Sequence, residues 1–357
     1  MTDTFAMARA RRALSEAGLN YQMPLERASS VTNEVWLSPE YVIRVNRQPN
    51  QRLRREALIG PALPPSVNYP EVVAYGGQLG ADWLIARRQP GNVLSRCWPS
   101  MSIEERREAV RQFANILRNL HQVTAPPDLP EIATPQLLDG RRFHTTEPLL
   151  EALEKAETFQ HVDRGFIAEI RRIVEDLAPS IEPFNVPTLI HGDLHFENVL
   201  WDNLHITALL DFEYARAGPP DLDLDVFLRF CAYPFLHVAE DYEHLTRAED
   251  YAPIPYWLAD DYPELFATPK LFERTQLYSI AYDVRELLQF PPARPPRELS
   301  RYHPYNRLEL VVRGTSHLHR LAGRLAFDAM SYEALVTPTI PYVAYDAVPP
   351  LARSSEA

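Results

Sequence analysis

The sequence predicts an α+β chain, with short strand candidates and two helices before residue 90 and mostly helical segments after residue 100. Three observations carry that expectation. Before residue 90 the apolar runs are short, rich in β-branched and aromatic residues, and separated by turn residues. After residue 100 they recur at helical spacing. One later stretch, IHGDLHFENVLWDNLHITALLDFE at residues 190–213, breaks the helical pattern and reads as loop, short strand, turn and strand.

In chain order, residues 3–17 predict a helix with Asp3 as N-cap candidate, a weak apolar face of Phe5, Ala8, Ala13, Leu14 and Ala17, and Gly18 as its stop. Strands are expected around Leu25 and over residues 35–37 and 41–45. A helix over about 51–63 carries Glu56, and two more strands fit 71–75 and 83–86. Residues 87–92 are a turn-rich connector. Ser102 and Glu105 make a capping box for a helix ending at His121, with Val110, Phe113, Ala114, Leu117 and Leu120 as its buried stripe. Residues 124–148 read as a proline-rich loop, followed by helices at about 147–159 and 163–177. Beyond the central stretch, Asp223 begins a buried helix bearing Val226, Phe227 and Phe230. Residues 233–270 interleave acidic and aromatic side chains with few helical periods. Helices at about 272–288 and 309–328 flank a proline-rich linker, and residues 331–357 form a proline-rich tail.

The central stretch concentrates the chemistry. Thr188, Leu189 and Ile190 run into His191-Gly192-Asp193; Asn198 follows, and the second apolar run, residues 206–210, delivers Asp211 and Glu213. The Asp202-Asn203 pair is the turn signal between the two runs. That order sets Asp193, Asn198 and Asp211 at neighbouring strand ends. One carboxylate can orient a hydroxyl, while an amide and a second carboxylate hold a hard cation. A zinc-hydrolase reading of His191-x-Asp193-x-His195 leaves Asn198 and Asp211 without a role. A purely structural reading, turn cap and strand end, accounts for each residue alone but poorly for the three together. His191 and His195 fit better as hydrogen-bonding scaffold than as chemical participants.

HGDLHFEN followed by LLDFE resembles the aminoglycoside phosphotransferase and choline kinase group, relatives of the protein kinases. The resemblance covers about residues 20–325 and implies a two-lobed, protein-kinase-like fold. Its small antiparallel-sheet N-lobe would be residues 1–90, its mostly helical C-lobe 91–330. It further implies ATP or GTP and Mg2+, with the γ-phosphoryl group passing to a hydroxyl of a small molecule. On the family pattern Asp193 is the catalytic aspartate, and Asn198 and Asp211 are the magnesium ligands. Arg44 stands where a strand lysine meets the α/β-phosphates, with Glu56 as its ion-pair partner. The Ser29-Ser30-Val31-Thr32-Asn33 turn would cover the phosphates, so Ser30 and Asn33 are nucleotide candidates. His191, Glu213 and Asp223 are supporting residues, Asp223 bracing the catalytic loop. His121 ends its helix with the family's leucine-histidine and reads as structural. Two departures matter: the phosphate turn contains no glycine, and arginine replaces lysine at position 44. They keep a non-catalytic, nucleotide- or metabolite-binding relative open as the alternative.

Composition bounds the partners. A net charge of −12 argues against nucleic acid as the main partner. Residues 1–95 hold 11 Arg and 8 Asp+Glu, about +3, so the remaining 25 Lys+Arg and 40 Asp+Glu carry about −15. The acidic-aromatic segment 233–270 suits cationic or sugar-like acceptors, and a solvated loop with packed aromatics explains it equally well. Two cysteines, Cys97 and Cys231, cannot form a disulfide framework and point to a reducing cytoplasm. No signal peptide, membrane span, Walker motif or internal repeat is expected.

Overall fold

A computed structural model describes residues 2–28, 33–132, 137–138, 145–181 and 188–322. Ser30 and the expected tail at 331–357 lie outside them. The chain divides into two compact units: residues 1–136, 140–143 and 183–265, and residues 137–139, 144–182 and 266–357.

The first unit opens with α1 (Thr2–Glu16), so Asp3 lies inside the helix instead of capping it. Gly18 takes φ +71° just beyond, a left-handed conformation that glycine adopts without penalty. Five strands follow: β1 (Glu26–Ala28), β2 (Asn33–Leu37), β3 (Tyr41–Asn46), β4 (Val72–Gly76) and β5 (Trp83–Arg87). They form an antiparallel sheet in the order β1-β2-β3-β5-β4. Trp36, Ile43, Val45, Trp83 and Ile85 pack beneath Ala6, Ala10, Ala13 and Leu14 of α1. On the opposite face α2 (Arg52–Ile59) sets Leu53 against Leu84 and Ala86. This helix is shorter than the expected 51–63. The chain tightens into a 3-10 turn at Gly60–Ala62, where Pro61 lacks the N–H that α-helical continuation needs.

The connector leads into β6 (Asn92–Val93), α3 (Leu94–Cys97) and α4 (Ile103–Leu120). The Ser102/Glu105 capping box forms, and the expected stripe of α4 is buried. α5 (Glu147–Ala156) and α6 (Arg164–Leu177) belong to the second unit. β7 (Leu189–Ile190) pairs with β10 (Arg216–Ala217), while β8 (Val199–Asp202) and β9 (His205–Leu209) form a hairpin with β6 along its edge. Asp202 pairs with His205. The turn therefore centres on Asn203 and Leu204, at φ +46° and +67°, one residue later than its sequence signal. α7 (Asp221–Ala232) is almost wholly buried.

Segment 233–270 is where expectation and structure part. It folds into α8 (Glu240–Glu243), α9 (Ala248–Tyr251), α10 (Ile254–Asp261) and α11 (Pro263–Phe266). Tertiary contacts hold these short helices: Arg106 bonds Asp250 at 2.7 Å, Arg107 grips Asp261 and Trp98 stacks on Tyr251.

In the second unit α12 (Leu271–Gln289) packs against α5, α6 and α13 (Pro304–Val312). The single helix expected over 309–328 is instead α13 and α14 (His317–Ala322), broken at Gly314 with φ +64°. Among the described residues no helix is long and apolar enough to cross a membrane.

Candidate functional site

Strand alternation sets the first half of the site. Ile43 and Val45 point under α1, so Arg44 emerges on the α2 face, in register with Leu84. There Nη1 donates to Glu56 Oε1 at 2.5 Å and Nη2 donates to Asp211 Oδ1 at 3.0 Å. Glu213 Oε2 lies 3.8 Å from the same Nη2. The other Glu56 oxygen accepts from the Tyr69 hydroxyl at 2.9 Å. Carboxylate oxygens of Glu56, Asp211 and Glu213 all lie within 4.8 Å of one another.

Burial and the neighbouring Asp211 charge raise the two glutamates. Glu56 titrates above its ordinary value, and burial together with Asp211 pushes Glu213 up to about 8. Burial pulls on Arg44 the other way, but Glu56 and Asp211 outweigh it and hold the guanidinium above its usual pKa. Asp211 itself adopts φ +66°, an uncommon backbone state for a residue with a side chain.

The segment after Asp211 is tied to α2. Arg52 Nη1 donates to Glu213 Oε1 at 2.9 Å and Nη2 to the Tyr214 hydroxyl at 3.3 Å. Arg55, fully buried, donates Nε to the Glu213 carbonyl at 3.0 Å and Nη2 to the Ala215 carbonyl. Sequence reasoning misses Arg52, Arg55 and Tyr69. The available signal is the spacing of Arg52, Arg55, Glu56 and Ile59, which places three charges on one helical face.

The second half is the loop after β7. Asp223, at the start of α7, accepts the backbone N–H groups of His191 and Gly192, each at 2.7 Å. His121 Nε2 lies 3.2 Å from the same carboxylate, and its Nδ1 is 3.2 Å from the Tyr262 hydroxyl. Burial opposes ionisation of Asp223, yet the His121 bond keeps it below its ordinary value. His191 Nε2 donates to the Leu210 carbonyl at 2.8 Å, and Nδ1 accepts the Asp193 N–H at 3.3 Å. Gly192 sits at φ +80°, where a Cβ would lie 2.5 Å from the Tyr214 carbonyl oxygen, so only glycine fits.

Asp193 keeps 37% of its side chain exposed, and His195 Nε2 lies 3.5 Å from its Oδ1. Burial would raise this carboxyl, but His195 and the nearby His191 and His237 hold it below the ordinary carboxylate range. Asn198 donates Nδ2 to the Asp193 carbonyl at 2.9 Å, and its own carbonyl accepts the Leu210 N–H at 2.8 Å. The structure thus brings Arg44, Glu56, Asp211 and Glu213 into one cluster, and ties the loop of His191, Asp193 and Asn198 to Asp223 of α7. Asn33 is buried beside Asn46 in the sheet register, and its amide has no hydrogen-bond partner among the described residues.

A family model described as the phosphotransferase enzyme family matches residues 25–257. No curated protein sequence matches the chain. Among solved structures, aminoglycoside phosphotransferase APH(2'')-Ib with ADP bound is similar at a TM-score of 0.57 and 14% identity, covering 87% of this chain and 98% of that one. A thermostable mutant of aminoglycoside phosphotransferase APH(4)-Ia, in complex with ADP and hygromycin B, gives 0.53 and 17%, covering 85% and 97%. The GDP complex of aminoglycoside 2'-phosphotransferase-IIIa gives 0.54 and 17%, covering 86% and 96%. At such identities the likeness is one of fold: a small antiparallel-sheet lobe and a larger, mostly helical lobe.

Proposed function

This chain belongs to the phosphotransferase enzyme family, and from that premise we propose that it transfers the γ-phosphoryl group of a purine nucleotide to a hydroxyl of a small molecule. The observation that carries the reading is the Arg44–Glu56–Asp211 cluster, which joins residues 167 positions apart in the chain. ATP is the nucleotide proposed, with GTP as its alternative. The ADP and GDP complexes of the similar structures support a purine nucleotide without deciding between the two.

Arg44, held by Glu56, brings its positive charge to the α/β-phosphates. Asn33 and the turn at 29–33 remain nucleotide candidates in this proposal, and the N-lobe of residues 1–90 carries phosphate binding. The C-lobe, residues 91–330, carries catalysis and the acceptor. Magnesium fits the donors at Asn198 and Asp211, which are hard oxygen ligands. Asn198 commits its Nδ2 to the Asp193 carbonyl, so its Oδ1 is the ligand atom. Bound there, magnesium would neutralise charge on the phosphate oxygens. Asp193, ionised and partly exposed, accepts a hydrogen bond from the acceptor hydroxyl and takes its proton as transfer proceeds. Asp223 and His191 keep the loop in the conformation that presents Asp193. The hygromycin B complex of a similar structure supports a sugar-like or cationic acceptor. The two free cysteines support a cytoplasmic setting.

The test is phosphate transfer from Mg-ATP to a panel of hydroxyl-bearing acceptors, run beside Asp193→Asn. Expected is turnover that falls about a thousandfold in the variant, with Mg-ATP affinity within about twofold of wild type. Nucleotide binding without turnover on any acceptor would favour the non-catalytic reading. An Asp193→Asn variant with near-normal turnover would sink the mechanism.

A further inference from the structure

We propose that Arg52 is a positioning residue: by holding the Glu213 carboxylate it leaves Arg44 to bridge Glu56 and Asp211, and so supports magnesium-nucleotide binding. The inference rests on the phosphotransferase reading above.

Three carboxylates surround one guanidinium, and Arg44 already spends its short contacts on Glu56 and Asp211. Glu213 is the surplus member. Its side chain is 4% exposed, and its Oε2 has no hydrogen-bond partner among the described residues while lying 3.8 Å from Arg44 Nη2. A buried carboxyl without a partner is costly, and for Glu213, ionised or protonated, the nearest remaining donor is Nη2 of Arg44. Arg52 supplies the partner by binding Oε1 at 2.9 Å.

Arg52 is itself well anchored. It donates to the Tyr214 hydroxyl, and its guanidinium carbon stands 5.5 Å from the centre of the Tyr214 ring. Meanwhile Arg55 pins the backbone carbonyls of Glu213 and Ala215. Backbone held and side chain released is therefore the state that loss of Arg52 creates. In it, Glu213 closes on Nη2 of Arg44 at the expense of the Asp211 contact. Arg52 acts through Glu213, and its side chain is 27% exposed, so replacing it leaves no buried void.

The experiment measures Mg-ATP affinity of the full chain by calorimetric titration for wild type, Arg52→Gln, Glu213→Gln and the double variant. A double-mutant cycle isolates the coupling between the two residues. Arg52→Gln should weaken binding about tenfold, and adding Glu213→Gln should recover most of that loss. A purely structural Arg52 would lower the melting temperature without such recovery. Should Arg52→Gln not fold, Arg52→Lys carries the test. It reaches Glu213 with a single point charge, so affinity about threefold below wild type is expected, restored by Glu213→Gln. Glu213→Gln alone should bind near wild type; wild-type affinity in Arg52→Gln, or a double variant no better than Arg52→Gln, would overturn the proposal. A wild type that binds no Mg-ATP would overturn the phosphotransferase reading, and this inference with it.

Discussion

Arg44, half-buried, and Arg307, buried, both lie beside carboxylates, yet their surroundings differ in kind. In the second unit Arg307 grips Asp283 through two nitrogens, Nε at 2.9 Å and Nη2 at 2.8 Å, and donates Nη1 to the Tyr302 carbonyl. Charge and donors are matched there, as in a bond that holds α13 to α12. Around Arg44 the carboxylates outnumber the guanidinium, two of them titrate above their ordinary values, and one buried oxygen lacks a hydrogen bond. A matched pair serves the fold, whereas an oversupplied cluster is costly to keep and marks a site that handles charge.

The sharpest way to break this contrast is Arg307→Met. Removing one partner of a matched buried pair should lower stability by about 3–5 kcal/mol, read by denaturant melts, with Mg-ATP affinity unchanged. Equal stability loss from Arg44→Gln would erase the distinction, because the raised carboxyls around Arg44 can take up protons when it leaves.

Asp211→Asn comes next. Mg-ATP at about 100 times its dissociation constant adds about 2.7 kcal/mol to a binding protein. That gain should vanish in the variant, while its melting point without ligand stays near wild type. The corresponding Asp283→Asn should do the reverse.

A smaller effect separates the units by pH. Burial lowers His319 of α14 to about 4. A histidine depressed in the fold favours unfolding when protonated, so its contribution is intact above about pH 6.5 and lost as pH falls toward 4. The expected loss is of order 2 kcal/mol, and His319→Gln should flatten the acid limb of the melting profile. An unchanged limb would show that His319 is not the group responsible.

Legibility follows sequence distance. The loop–strand–turn–strand order of 190–213 can be read from the chain because its signals are local: alternating apolar residues, a turn pair, and polar residues at fixed offsets. The sheet and α4 are legible for the same reason, the latter through its capping box. Arg52 and Arg55 are not, since their partners lie 161 and 158 residues away and charges on one helix face ordinarily mean solvent. α8 to α11 escape periodicity because they have too few turns to show a pattern, and ion pairs and aromatic stacking hold α9 and α10. Ser30 lies outside the described residues.

The hairpin that joins β8 to β9 offers a resource for engineering. Leu204 adopts φ +67° and is half exposed, where a branched side chain is strained and asparagine-glycine is the favoured turn pair. Leu204→Gly should therefore add about 1 kcal/mol of stability. The carbonyl of residue 204 would still accept from Gln112, because that bond uses only backbone on the hairpin side. Asn198 and Asp211 flank the two strands that this turn connects, so tightening it would give a more heat-tolerant scaffold while leaving every charge in the proposed site unaltered.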